Sequence, residues 1–206
     1  MSKHEQLISK VYTHGYNNLD EQLSVYEPWS EHYDQSMITD GVWTGPGKAA
    51  GYVMLNYPWD CAIADIGCGT GIVGKILKTS NYLNVDGYDV SQGMMDHAIA
   101  HYKAVKFCNI AETPLPKQYD VITATGVFTR GHVDATAVPN VVKSLKPGGE
   151  LVVTFPVLED YDYEVEAGWS LQDQLKATHR QKFDSYTSNG KRLQHELIIY
   201  KSKEIS

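Results

Sequence analysis

The sequence predicts an α/β fold in which helices cover both faces of a mostly parallel, doubly wound sheet. Strand-like and helix-like segments alternate through residues 61–155, the pattern of parallel strands joined by crossover helices. A short apolar strand ends at three glycines, and a helical pattern follows at once. Near the C-terminus, residues 169–179 predict a helix, and polar and apolar residues alternate after it, as in a closing β-hairpin. A length of 206 residues suits one domain with a sizeable core.

The leader before the first strand predicts two or three helices over residues 17–57. Apolar and aromatic side chains recur there at helical spacing, from Leu19 to Tyr33. We expect Gly45-Pro46-Gly47 to break this pattern before a further helix. Ligands bind open α/β sheets at the carboxyl ends of the strands. The leader is therefore expected to form a helical lid over that edge.

The glycine-rich turn at Gly67, Gly69 and Gly71 predicts a ligand-binding loop. A residue without Cβ adopts positive φ easily and lets a ligand approach the main chain. Because a helix follows, its free N-terminal N–H groups favour a carboxylate or phosphate. The spacing through Gly74 also satisfies the dinucleotide pattern. Asp65, however, lies inside the strand, where a dinucleotide site normally has an apolar residue.

The segments that follow continue the alternation of strand and helix. Residues 85–89 predict a second strand ending in Asp89, and Ser91 is placed to cap the next helix. A carboxylate at that position suits a ribose diol, in either an S-adenosylmethionine (SAM) or an NAD site. Further segments predict the third strand with its loop (107–112), the fourth strand (119–126), and a helix end, turn and fifth strand (145–155).

These motifs, in this order, resemble the class I SAM-dependent methyltransferases over residues 60–156. The acid-x-Gly-x-Gly-x-Gly order resembles their first motif. The Leu-Lys-Pro-Gly-Gly turn at 145–149 resembles another of their features and has no role in a dinucleotide site. The resemblance implies a seven-stranded, mostly parallel Rossmann-like sheet with an antiparallel last strand. It implies one methyltransferase domain over 1–206, with a lid (1–57), a SAM-binding core (60–156), and an acceptor loop and closing hairpin (157–206).

A closer resemblance rests on three segments, at residues 26–34, 88–94 and 126–133. These are most similar to the Williams-Beuren syndrome region methyltransferase-like proteins, which are of the small-molecule type. This resemblance implies transfer of a methyl group from SAM to a small-molecule acceptor, leaving S-adenosylhomocysteine.

The resemblance also implies residue roles in holding SAM. The glycine loop would hold its methionine portion, with Asp65 orienting the ammonium group, and Asp89 would hold the ribose. Met94 and Ile110 would sandwich adenine, and Asn109 would lie on its edge, where the family usually has Asp. The expected cofactor-binding residues are Asp65, Gly67, Cys68, Gly69, Gly71, Asp89, Val90, Met94, Asn109, Ile110 and Thr125.

Methyl transfer from a sulfonium needs in-line alignment and a deprotonated acceptor. His132 is the expected general base, because an imidazole titrates near working pH. Tyr33 is expected to close over the cofactor. Other base candidates follow the fifth strand: Glu159, Asp160, Tyr161, Asp162 and Tyr163. The acidic, aromatic character of that loop favours an amine acceptor by cation–π contacts, and hydroxyl and carboxyl acceptors stay open.

Composition limits the partners and the compartment. A net charge of −7 argues against a nucleic-acid partner and favours a small neutral or cationic acceptor. We expect a soluble, cytoplasmic protein, since the chain shows neither a signal peptide nor a membrane span. Cys61, Cys68 and Cys108 suggest neither a disulfide framework nor a metal site. The oligomeric state is left open.

Two other functions compete with methyl transfer. One is a regulatory module that binds SAM or S-adenosylhomocysteine without turnover, and the other is an NAD-dependent oxidoreductase. The position of Asp65 and the turn at 145–149 argue against the oxidoreductase. No Asn-Pro-Pro-Tyr motif follows the fourth strand, which counts against methylation of DNA bases or of protein glutamine.

Overall fold

The computed structural model describes residues 16–40, 42–129, 131–159, 174–188 and 191–203. Its α-helices are α1 (Leu19–Trp29), α2 (Gly45–Asn56), α3 (Ile72–Thr79), α4 (Gln92–Ala98) and α5 (Val138–Ser144). Its strands are β1 (Ile63–Ile66), β2 (Val85–Asp89), β3 (Ala104–Phe107), β4 (Tyr119–Thr125), β5 (Leu145–Pro156), β6 (Leu175–Ser188) and β7 (Lys191–Ser202). A 3₁₀ turn (Ser30–His32) and a π-helical turn (Gln35–Asp40) extend the leader beyond α1.

The strands form a seven-stranded sheet in the order β3-β2-β1-β4-β5-β7-β6. Strands β1 to β5 are parallel to their neighbours. Strand β7 inserts between β5 and β6 and runs antiparallel to both. The predicted fold class is therefore confirmed, including the antiparallel last strand.

The core lies on both faces of the sheet because helices cover each face. All four residues of β1 are buried, as expected of a central parallel strand. Ile66 and Ile122 pack into one apolar cluster, and Ile63 and Val121 pack into the other. The central strands are therefore rigidly held, which fixes the positions of the loops at their carboxyl ends.

Three segment predictions need correction. Helix α2 begins at Gly45 rather than after it, because Pro46 in a first turn needs no N–H partner and has a helix-compatible φ. Residues 175–179 lie in β6, where the prediction gave a helix up to His179, because pairing with β7 overrides the helical spacing. The rest of that predicted helix, residues 169–173, lies outside the described residues. The third strand ends at Phe107 rather than beginning there.

The described leader lies against the core through aromatic side chains. Trp29 and Tyr186 are buried together, and Tyr26, Tyr33 and Trp43 pack around them. No described helix is long and apolar enough to cross a bilayer. The aromatic contacts place the leader as a wall over the strand ends.

Candidate active site

A cavity of about 520 Å³ opens at the carboxyl ends of the central strands. Its volume is in the range of small-molecule sites. The strand ends contribute Ile66, Asp89 and Thr125, and the leader contributes a wall that includes Leu19 and Tyr33. The crevice is therefore where parallel α/β sheets bind ligands.

The glycine loop presents main chain to this cavity. Gly67, Gly69 and Gly71 adopt φ of 62°, 53° and 95°. A Cβ on Gly67 would lie 2.4 Å from Val127 Cγ2, whereas a Cβ on Gly69 would meet no described atom within 4 Å. Gly67 and Gly69 line the cavity, and Gly71 instead caps helix α3. The loop thus forms a cradle that a side chain at Gly69 would partly fill.

Asp89 joins the glycine loop to the next helix. Its Oδ2 accepts a hydrogen bond from Gly69 N at 2.8 Å. Its Oδ1 accepts from Val90 N at 2.8 Å and from Ser91 N at 2.9 Å. Burial raises the pKa of this carboxyl, although the three amide contacts act in the opposite direction. Because a carboxylate has about four acceptor positions, one remains for a ligand hydroxyl.

Asp65 lies beneath the loop rather than at the cavity. It is 1 % exposed, and its two oxygens accept from Tyr102 Oη and Thr123 Oγ1, each at 2.6 Å. Burial raises its pKa to about 7. The side chain points to the same face of the sheet as Ile63, away from Ile66 at the cavity. The structure therefore does not bring Asp65 to the expected position beside the ligand.

Tyr102 supports the loop from below, and sequence reasoning missed it. Its hydroxyl accepts from Gly74 N at 3.1 Å and donates to Asp65. A Cβ on Gly74 would lie 2.4 Å from the Tyr102 ring, and one on Gly87 would lie 2.9 Å from it. Gly74, which completed the dinucleotide pattern, thus makes room for an aromatic ring. The glycine inside strand β2 was the sequence signal for such a close approach.

The far end of the cavity lies between helix α4 and the loop after β3. Met94 is 1 % exposed and Ile110 is 3 % exposed, and both line the cavity. The Asn109 Oδ1 already accepts from Ala111 N at 3.2 Å, so it holds the loop as well as facing the cavity. Cys108 also lines the cavity, and it was not among the residues expected to bind the cofactor.

The leader is tied to both flanks of the site. Glu27 accepts from Gln92 N and Gly93 N at the start of α4, each at 2.8 Å. Asp34 accepts from Thr70 Oγ1, in the glycine loop, at 2.5 Å. Neither acid was singled out from the sequence. Together they fix the leader across the cavity.

The leader end of the cavity carries a polar chain of side chains. His132 Nε2 lies 3.0 Å from Tyr26 Oη, and His132 Nδ1 lies 2.7 Å from Thr129 Oγ1. The Tyr16 ring packs edge-on against the imidazole at 4.9 Å between centroids. Tyr33 lines the same cavity and packs against Trp29.

Most of the predicted site residues meet at this cavity. Those that line it are Tyr33, Gly67, Gly69, Asp89, Val90, Met94, Asn109, Ile110, Thr125 and His132. Asp65, Cys68 and Gly71 are not among its described lining residues. Of the base candidates after β5, residues 160–163 lie outside the described residues, and Glu159 is not in the described lining.

The core of the chain is similar to known methyltransferases. Residues 64–151 match the model of a family described as a methyltransferase domain. Residues 64–151 therefore form a methyltransferase domain. The chain is 30 % identical to human methyltransferase-like protein 27 over 149 residues, which are 68 % of this chain and 60 % of that protein. It is 34 % identical over 101 residues to malonyl-[acyl-carrier protein] O-methyltransferase of Halalkalibacterium halodurans, covering 44 % of this chain and 37 % of that protein. The chain thus spans less than two thirds of the length of either relative.

The fold of the methyltransferase domain matches solved structures. A TehB-like SAM-dependent methyltransferase from Corynebacterium glutamicum superposes with a TM-score of 0.62 at 18 % identity. The match covers 84 % of this chain and 98 % of the other. At that identity the likeness supports the shared fold.

SAM is the cofactor of this methyltransferase domain, and the cavity fits it. Asp89 and Asp134 are the charged residues among the described lining, which contains neither Lys nor Arg. Such a wall suits a cationic sulfonium. The backbone open at Gly69 and the apolar pair Met94 and Ile110 suit the methionine and adenine portions. The oxidoreductase alternative gains no support.

Proposed function

We propose that the whole protein is a SAM-dependent methyltransferase that methylates a nitrogen or oxygen atom of a small-molecule acceptor. The observation that carries this proposal is the continuity of one cavity. It extends from Asp89 and Met94, at the cofactor end, to His132 and Tyr33, at the leader end. A cavity of about 520 Å³ that also holds SAM leaves room for a small acceptor.

The charge of the cavity wall narrows the chemical class of the acceptor further. Asp89 and Asp134 both disfavour an anion, and the described lining offers no Lys or Arg to offset them. An amine, or an alcohol or phenol, fits this wall better than a carboxylate or phosphate. Aromatic rings at Tyr16, Tyr26 and Tyr33 favour a cationic or aromatic acceptor.

The chain's own residues divide the chemical work. Bound SAM supplies a methyl group that is already activated. Asp89 and the glycine loop fix its position, so that alignment with the acceptor provides much of the acceleration. The leader keeps water out, with Tyr33 lying over the cofactor, and His132 takes up the proton that the acceptor loses.

The proposal includes the subgroup of methyltransferases and the cellular compartment of the protein. The segments at 26–34, 88–94 and 126–133 support membership of the Williams-Beuren syndrome region methyltransferase-like proteins. All three cysteines are free thiols, which suits a reducing compartment and supports a cytoplasmic location.

Calorimetric titration followed by a methyl-transfer assay tests the proposal. We expect SAM and S-adenosylhomocysteine to bind with micromolar dissociation constants and NAD not to bind. Incubation with methyl-tritiated SAM should then label benzylamine or phenol, but not benzoate. Binding of NAD alone would overturn the assignment of SAM as the cofactor. Binding of SAM without labelling of any of these compounds or of a metabolite extract would favour the regulatory module.

A further inference from the structure

Both ring nitrogens of His132 are engaged by hydroxyl groups. Tyr26 Oη contacts Nε2 at 3.0 Å, and Thr129 Oγ1 contacts Nδ1 at 2.7 Å. A neutral imidazole carries one proton, so one nitrogen donates and the other accepts. An acceptor molecule therefore does not reach a ring nitrogen directly while both contacts are made.

Tyr26 lies between two parts of the site that the chain brings together from a distance. It is half-buried on α1, it lines the cavity, and it is 106 positions away from His132. The next residue, Glu27, attaches α1 to the start of α4. Docking of the leader therefore places the Tyr26 hydroxyl at the imidazole.

The other titratable groups around His132 do not serve as its proton donor. Tyr16 packs on the ring from the leader, and burial raises its pKa to about 12, so its hydroxyl stays protonated. Asp134 lies two residues along the same loop, and its Oδ1 accepts from Thr136 N at 2.8 Å. Among the described side chains that contact the imidazole, Tyr26 and Thr129 hold its two nitrogens.

We propose that Tyr26 relays the acceptor's proton to His132, and that Thr129 is a positioning residue that keeps the imidazole proton on Nδ1. The relay rests on the proposed function. The acceptor's X–H bond breaks as the Tyr26 oxygen takes the proton, while the Tyr26 O–H proton passes to His132 Nε2. The electron pair left on X bonds to the methyl carbon, and the pair of the broken carbon–sulfur bond stays on sulfur. The imidazolium then releases its proton to water.

The relay makes turnover depend on the leader. With α1 docked, Tyr26 covers His132 Nε2, so the proton of the acceptor reaches the imidazole through the Tyr26 hydroxyl. The same helix therefore contributes to deprotonation and to the exclusion of water.

Nitrogen NMR of the imidazole tests the link without requiring turnover. The chain contains eight histidines, so His132→Asn identifies the His132 signals by their loss. In ¹⁵N-histidine-labelled protein we expect the neutral ring to carry its proton on Nδ1. Tyr26→Phe should move the Nε2 resonance, and Thr129→Val should mix the two tautomers. Unchanged Nε2 shifts in Tyr26→Phe, or a proton on Nε2 in the wild type, would overturn the relay.

Kinetics test the relay as chemistry, with whichever of benzylamine and phenol the wild type labels. We expect Tyr26→Phe to lower kcat about 100-fold with little change in the KM for SAM, as for loss of a general base. Thr129→Val should lower kcat about 10-fold and shift the acidic limb of the kcat profile with pH. Tyr52→Phe, which removes a hydroxyl bonded to Glu150 away from the cavity, is the matched control. An active enzyme whose kcat and pH profile survive Tyr26→Phe would refute the relay. An inactive wild type would refute the proposed function instead, with the relay still decided by NMR.

Discussion

The two ends of the cavity are formed by different chemical groups, mainly backbone at one end and side chains at the other. At the cofactor end, Gly69 offers bare main chain, and Asp89 accepts hydrogen bonds from three backbone amides. At the leader end, Tyr26 and His132 meet through side chains that are 106 positions apart. The first end follows from local sequence and the second from docking of the leader. Substitutions at the first should change stability and SAM affinity, and those at the second should change turnover.

The largest expected effect comes from Asp65, which lies under the cofactor end. Its folded-state pKa of about 7 exceeds its ordinary value of 3.8, so the folded state binds the proton more tightly. This stabilising contribution is fully present below the unfolded pKa and is lost as pH rises through the folded one. We expect the wild type to lose at most about 4 kcal/mol of unfolding free energy between pH 4 and 8. Urea denaturation across that range measures the loss.

Asp65→Asn is the control for that titration. The amide cannot ionise, so the pH dependence that remains belongs to the other groups. We therefore expect a flatter curve for the variant, with the two curves diverging as pH rises. Parallel curves would show that Asp65 keeps its charge in the fold, and that Tyr102 and Thr123 stabilise the carboxylate.

Asp89→Ala tests whether the main-chain cradle depends on one carboxylate. Three backbone amides would lose their acceptor, which should cost about 3 kcal/mol of unfolding free energy. SAM affinity should fall at least 100-fold in calorimetric titration, about 2.7 kcal/mol. Asp96→Ala, at an exposed position on α4, should change neither quantity. Equal losses in both variants would mean that the effect belongs to α4 rather than to the cradle.

Gly67 and Gly69 form a matched pair inside the cradle. Both have positive φ, so an alanine at either costs about 1 kcal/mol in backbone strain. Gly67→Ala also places Cβ 2.4 Å from Val127, which should add about 2 kcal/mol from overpacking. Chemical denaturation should therefore rank Gly67→Ala as the less stable variant.

The effects of Gly67→Ala and Gly69→Ala on SAM binding should not follow their effects on stability. The alanine at Gly69 projects into open space that SAM would occupy, so it should weaken SAM binding more than its stability loss suggests. SAM binding unaffected by Gly69→Ala would place the ligand elsewhere in the cavity.

The cofactor end was largely predictable because its chemistry lies in short sequence motifs. The glycine spacing and the acid that ends β2 indicated Gly69 and Asp89, which line the cavity. The motif predicts Asp65 beside the cofactor, whereas alternation along β1 turns its side chain away from the described lining of the cavity. The partner that holds it, Tyr102, lies on a later segment.

At the leader end, the sequence predicted which residue types take part but not which of them are in contact. His132 was identified from its position after β4, but its contact with Tyr26 depends on how α1 docks. The fold shows the same division. Strands of the parallel core were predicted, whereas residues 175–179 became a strand through pairing with β7.

The smallest expected effect concerns the attachment of the leader. Glu27 accepts from two amides at the start of α4, where a negative charge is favourable. Glu27→Gln removes that charge and should lower the unfolding free energy by about 1 kcal/mol. Glu31→Gln makes the same chemical change at an exposed acid, 3.7 Å from His97, and should cost less than about 0.5 kcal/mol. If leader docking controls turnover rather than cofactor affinity, Glu27→Gln lowers kcat while SAM still binds. A loss of SAM affinity without a change in kcat would instead assign the leader to the cofactor end, and the two ends of the cavity would then behave as one unit.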